Sequence, residues 1–113
     1  MKKILILEAW MLPREALKCI LPNAVAPEEA YFCKPEEKWD AIILGGGLFS
    51  NVLDALEGQK AQIILCDTDE HDMAGNADYL INDLGFHHDR FTFVQRTGNP
   101  YWMLALKEAV AND

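Results

Sequence analysis

Trp39-Asp40-Ala41-Ile42-Ile43-Leu44-Gly45-Gly46-Gly47, continued through residues 48–56 to Ala61-Gln62-Ile63-Ile64-Leu65-Cys66-Asp67-Thr68-Asp69-Glu70-His71-Asp72, reads as strand, glycine turn, helix, strand and acidic turn. Residues 42–44 and 63–65 are unbroken apolar runs rather than alternating ones, the pattern of strands covered by helices on both faces. Between them Phe49, Val52, Leu53 and Leu56 recur at helical spacing, which predicts a stripe that covers one face of a sheet. The stretch is therefore a βαβ unit with two central parallel strands. Ligands of such sheets sit beyond the carboxyl ends of the strands, where both the Gly45-Gly46-Gly47 turn and the acidic turn at residues 67–72 fall. A functional site is expected on that edge.

Upstream, residues 2–8 predict a first buried strand ending in the carboxylate of Glu8. Pro13 suits the first turn of a helix, and residues 14–21 bring Leu17, Ile20 and Leu21 together. Pro22, Pro27 and Pro35 break up the next segment, where residues 30–33 could form a short edge strand. Downstream, residues 74–84 predict a helix with Ala77, Leu80, Ile81 and Leu84 on one face, stopped by Gly85. Residues 91–94 predict the last strand. Gly98-Asn99-Pro100 then turns the chain into a closing helix, residues 101–111, with Trp102, Leu106 and Val110 inward. Right-handed crossovers leave few arrangements for this order, and a three-layer α/β sandwich of four or five parallel strands follows.

A chain of 113 residues, half of them hydrophobic, is long enough to bury one core, so residues 1–113 are expected to form a single domain. Cys19, Cys33 and Cys66 are odd in number and lie in or beside apolar runs, which fits a reducing compartment rather than a disulfide framework. The net charge of -8 disfavours nonspecific nucleic-acid binding unless metal ions intervene, and disfavours an anionic membrane; basic protein partners or a divalent cation fit better. The apolar run after Met1-Lys2-Lys3 is too short for a signal peptide or membrane span. A cytoplasmic protein is expected.

Three features of the predicted ligand edge carry chemistry. Gly45, Gly46 and Gly47 could bring backbone N–H groups to a phosphate or other anionic ligand, or simply form a tight strand-to-helix turn. Asp67 and Asp69, with Glu70 and Asp72 around them, could direct hard oxygen ligands at one Mg²⁺, or cap the helix that follows. The choice turns on whether the Glu8 strand lies directly beside the Asp67 strand. Trp10, Met11 and Leu12 follow the first strand and would form an exposed apolar patch of the kind that marks a partner surface. His71, His87 and His88 share no zinc spacing with a cysteine and read as solvated. Cys66 reads as a buried, inert thiol.

The opening Lys2-Lys3-Ile4-Leu5-Ile6-Leu7-Glu8-Ala9-Trp10-Met11-Leu12-Pro13-Arg14-Glu15-Ala16-Leu17 resembles that of response-regulator receiver domains, where a first strand ends in an acidic pair and runs into a helix with an Arg-Glu-x-Leu pattern. Length, acidity and α/β order are similar over nearly the whole chain. The functional positions depart from the family: Glu8-Ala9 stands for the acidic pair, Gly45 and its neighbours for the phosphoacceptor aspartate, and Gln95-Arg96 lies near the invariant lysine. The resemblance implies a degenerate receiver that aspartyl phosphorylation cannot switch, acting in signalling through protein–protein interaction.

Glu8, the triple glycine and Asp67-Thr68-Asp69 also occur in the order found in Toprim domains, the metal-binding module of topoisomerases and primases. That resemblance implies Glu8 as general acid/base and Asp67 and Asp69 as Mg²⁺ ligands of a phosphodiester hydrolase or transferase. Ala9 and Asp72 stand where that family usually has glycines. The expectation is a flavodoxin-like α/β domain serving as a non-phosphorylatable, receiver-like interaction module. The alternatives are the Toprim-like enzyme and a small-ligand or nucleotide binder using Gly45, Gly46 and Gly47.

Overall fold

Four strands, β1 (Ile4–Leu7), β2 (Ala41–Leu44), β3 (Gln62–Asp67) and β4 (Phe91–Gln95), lie side by side in chain order and all run parallel. The computed structural model describes residues 2–28 and 37–111. Helix α1 (Met11–Ile20) follows β1, α2 (Ser50–Asp54) follows β2, α3 (Glu70–Asp78) follows β3, and α4 (Trp102–Ala111) closes the chain. The result is a three-layer α/β/α arrangement of flavodoxin-like type.

Alternation along each strand explains the unbroken apolar runs. Leu5, Leu7, Ile42, Leu44, Ile63 and Leu65 pack with Val52, Leu53 and Leu56 and with Met73, Ala77 and Leu80 on one face. Ile6, Ile43, Ile64 and Cys66 point the other way, against Leu17 of α1 and Leu106, Ala109 and Val110 of α4. A strand with helices on both faces has no solvent side, so no polar residue can alternate in. Each fully buried leucine or isoleucine among them contributes about 1.5–3 kcal/mol relative to exposure.

Several sequence expectations shift in detail. The first strand begins at Ile4 rather than residue 2, and Glu8 lies just beyond its last residue. Helix α1 starts at Met11, so Pro13 sits in its first turn, where a missing N–H leaves no hydrogen bond unmade. Phe49 does not join the inward stripe: it precedes α2 and is exposed, because α2 is only five residues long and Val52, Leu53 and Leu56 suffice to cover β2 and β3. Helix α3 starts four residues before the expected residue 74, since Asp69 caps it, and continues into a π-helical turn at Tyr79–Asp83 that ends at Gly85, whose φ is +79°. Ile81, Leu84 and Trp102 are half-buried rather than core residues.

The edge strand expected at residues 30–33 lies outside the described residues. Among those described, Val25 pairs in parallel with Leu5, exchanging hydrogen bonds with Ile6 N (2.8 Å) and Ile4 O (2.9 Å) on the outer side of β1. This single pairing places the second extended piece of the chain outside the first. The β1 and β3 strands are not neighbours, because β2 separates them.

Candidate functional site

Glu8, Gly45-Gly46 and Arg96 follow the carboxyl ends of β1, β2 and β4, and Asp67 is the last residue of β3. Parallel pairing brings all four ends to one edge. Glu8 is fully buried there. Its Oε2 accepts hydrogen bonds from the amides of Gly46 (3.0 Å) and Trp10 (3.2 Å), and Oε1 accepts one from Arg96 Nη2 at 3.3 Å. The same guanidinium nitrogen lies 3.9 Å from Asp67 Oδ1. One arginine therefore sits against two carboxylates from strands that do not touch.

The glycines make this approach feasible. A Cβ on Gly45 would fall 2.3 Å from Glu8 Oε1, and one on Gly46 would fall 3.1 Å from Asp67 Oδ2 and 3.3 Å from Trp10 Cδ1. Gly47 alone of the three has positive φ, +74°, and a Cβ there would meet Ala9 and the Trp10 indole. The first two glycines clear space for carboxylates across the middle strand, and the third makes the turn. The Gly46 amide, which could have met an external anion, is taken by Glu8.

Asp67 Oδ1 accepts hydrogen bonds from the amides of Thr68 (2.6 Å) and Asp69 (3.4 Å). Its Oδ2 is buried without a hydrogen bond to protein, as is Arg96 Nε. The Arg96 side chain is only 7 % exposed, and its guanidinium carbon lies 5.5 Å from the centre of the Trp102 ring. Burial pushes the pKa of Glu8 above the usual carboxylate value, against the two amides and Arg96, which pull it down. Burial likewise pushes the Cys66 thiol up to about 11, so at neutral pH it is neither a nucleophile nor a ready metal ligand.

The donor set does not fit the Mg²⁺ site that the Toprim resemblance implies. Magnesium needs octahedral oxygen ligands and keeps several waters. Here the space between Glu8 and Asp67 holds a guanidinium, and Asp69 is turned away, its Oδ1 accepting from His71 N at 2.8 Å as the cap of α3. Glu8, Asp67 and Asp69 do not form a close group of metal-ligating atoms among the described residues.

Trp10, Met11 and Leu12 are 63 %, 62 % and 76 % exposed, and Phe49 beyond the glycine turn is 70 % exposed. The Trp10 indole lies over Gly46 and Gly47, so one member of the apolar patch covers the turn that holds Glu8. Arg14 anchors its underside, donating from Nη1 to the carbonyl of Glu28 at 2.8 Å and, at longer range, to those of Glu8 and Ala9.

Sequence reasoning noted Arg96 only by its position near a family lysine and did not assign it or Arg14 a structural part. Arginine in a helix or just beyond a strand reads as solvent-facing, and only the tertiary fold shows that both side chains are buried. No protein-family model, curated protein or solved structure matches this chain.

Proposed function

We propose that this domain is a receiver-like regulatory or interaction module of the cytoplasm, one that works without metal or aspartyl phosphorylation and presents Trp10, Met11, Leu12 and Phe49 to a protein partner. The observation that carries the proposal is the Arg96 guanidinium, 3.3 Å from Glu8 and 3.9 Å from Asp67. It supplies internally the positive charge that a divalent ion supplies in a metal-dependent phosphoryl-transfer site. At the end of β2, where a phosphoacceptor would stand in the family it resembles, Gly45 has no side chain, and Glu8 lies where a Cβ would go.

The exposed apolar residues on the same edge support a contact surface, since large apolar side chains grouped on a small domain mark sites of association. Among the described residues no helix is long and apolar enough to cross a membrane. The hydrolase alternative has less support, because it needs the space that Arg96 occupies. The small-ligand alternative needs the Gly46 amide that Glu8 already holds.

The test is calorimetric titration with Mg²⁺ and Mn²⁺ of the wild type and Asp67→Asn, alongside incubation with radiolabelled acetyl phosphate. An interaction module shows no saturable heat at millimolar metal and takes up no label. Saturable Mg²⁺ binding that disappears in Asp67→Asn, or label lost on replacing a single aspartate, overturns the proposal.

A further inference from the structure

We propose that His87, His88 and Asp89 form a surface site for a divalent transition ion of the zinc class, held by two imidazole nitrogens and one carboxylate oxygen. The three side chains each offer one ligand atom, and these atoms all lie within 4.8 Å of one another. Asp89 is the hub: its Oδ2 is 3.4 Å from His87 Nδ1 and its Oδ1 is 3.0 Å from His88 Nε2, while the Asp89 amide donates to His87 Nδ1 at 3.3 Å, a long hydrogen bond that an ion at this nitrogen would replace. The imidazoles stack with centroids 4.4 Å apart.

Sequence spacing alone does not bring these ligands together; the turn that carries them does. Residues His88–Arg90 form one turn of 3-10 helix, with His87 as its cap. The turn is fastened at both ends. Before it, Phe86 is buried and its amide donates to Leu80 O at 2.9 Å. After it, Phe91 enters β4 opposite Ile63. Arg90 folds inward, its Nη2 donating to the carbonyls of Gln59 (2.9 Å) and Ala61 (2.6 Å), with its guanidinium 4.5 Å over the Phe86 ring. The backbone is thereby fixed, and the three ligand side chains stay well exposed while held beside one another by the Asp89 contacts and the imidazole stack. Such support from beneath is what a binding constellation requires.

The ligand chemistry selects the ion. Two neutral imidazoles and a carboxylate suit Zn²⁺, Ni²⁺, Co²⁺ or Cu²⁺, whereas Mg²⁺ and Ca²⁺ favour sites built from oxygen. Bonds of about 2.0–2.2 Å need the ligand atoms to close toward one ion, a movement that exposed side chains make by rotamer change. Water fills the remaining coordination. The net charge of -8 raises the local concentration of cations. The turn precedes β4, so it stands at the opposite end of the sheet from Glu8, Asp67 and Arg96, and the site is independent of the interaction surface.

The experiment is calorimetric titration of the reduced protein with ZnCl₂, with MgCl₂ in parallel, on the wild type and on His88→Ala, Asp89→Asn and His71→Ala. His71, on α3, lies outside the cluster. The expected result is saturable Zn²⁺ binding without comparable Mg²⁺ binding. It weakens by about tenfold or more in His88→Ala, given that even residues supporting a metal ligand cost 10- to 100-fold when lost, weakens also in Asp89→Asn, and is unchanged in His71→Ala. A wild type that shows no saturable heat at millimolar Zn²⁺ overturns the proposal. So does Zn²⁺ binding that is equal in wild type and His88→Ala, or that Mg²⁺ matches.

Discussion

Arg96 Nη2 lies 3.3 Å from Glu8 Oε1, so the end of the last strand is tied to the end of the first across two strands that separate them. The two residues stand 88 positions apart in the chain. Buried ion pairs are costly to assemble and costlier to break, because a lone charge left in the interior has no water to solvate it.

Replacing Arg96 by Met should therefore destabilise the domain by about 3–5 kcal/mol at pH 7, the range for removing one partner of a buried pair. The loss should shrink at acidic pH, where Glu8, whose pKa burial raises, takes up a proton and no longer needs the guanidinium. Urea unfolding at pH 7 and pH 5 checks both statements. Equal losses at the two pH values would show that Arg96 acts through packing on Trp102 rather than through charge.

Glu8 gives the wild type a specific pH dependence. Burial holds its folded-state pKa above the usual value of 4.5, so the folded protein binds the Glu8 proton more tightly than the unfolded chain does. Stability from this group is therefore fully present below pH 4.5 and is lost as pH rises through the folded value. Glu8→Gln cannot titrate. The stability difference, wild type minus Glu8→Gln, should fall as pH rises from 4.5 toward neutrality, as denaturation curves of the two proteins measured in parallel will report. A difference that rises over that window contradicts the assigned direction.

The glycines should respond to alanine in a graded way. Gly45→Ala drives a methyl into the Glu8 carboxylate, and Gly47→Ala combines positive φ with contact on Ala9, so each should lose about 1–3 kcal/mol. Gly46→Ala, with neighbours at 3.1–3.3 Å, should lose less. Gly75→Ala, in α3 with nothing within 4 Å of the added carbon, should gain about 0.5–1 kcal/mol. Thermal denaturation of the four variants gives the order.

Asp69 separates capping from metal binding. Its carboxylate accepts the His71 amide at the start of α3, so Asp69→Ala should cost about 1 kcal/mol and Asp69→Asn much less, since asparagine caps as well. Neither should change the response to Mg²⁺. A Mg²⁺-dependent rise in melting temperature that Asp69→Asn abolishes would restore Asp69 as a ligand.

The layer architecture was legible because it rests on residues with one physical destination. Ile42, Ile43 and Leu44, or Ile63, Ile64 and Leu65, can only be buried on both faces, and Gly85 only stops a helix. The site was half legible. Glu8, Asp67 and the glycines were found from their places at strand ends, which parallel pairing converts into proximity. What they do there was not, because it depends on Arg96, whose burial reverses the usual preference of arginine and has no local signal. Asp69 looked equivalent to Asp67 in sequence, yet one caps a helix and the other is buried. Val25 escaped notice for a related reason: a single pairing leaves no periodic pattern to read. The cluster of His87, His88 and Asp89 required the geometry of the turn.

That single pairing also decides how the sheet can meet copies of itself. Val25 occupies the outer hydrogen-bonding positions of Ile4 and Ile6, whereas among the described residues nothing pairs with the outer side of β4. Among the described residues, the outer main-chain groups of β4 are therefore the ones left open to a further strand. Two copies joined β4 to β4 would use up that edge on both partners. On the β1 side, a strand arriving from a second molecule would first have to displace Val25 from Ile4 and Ile6.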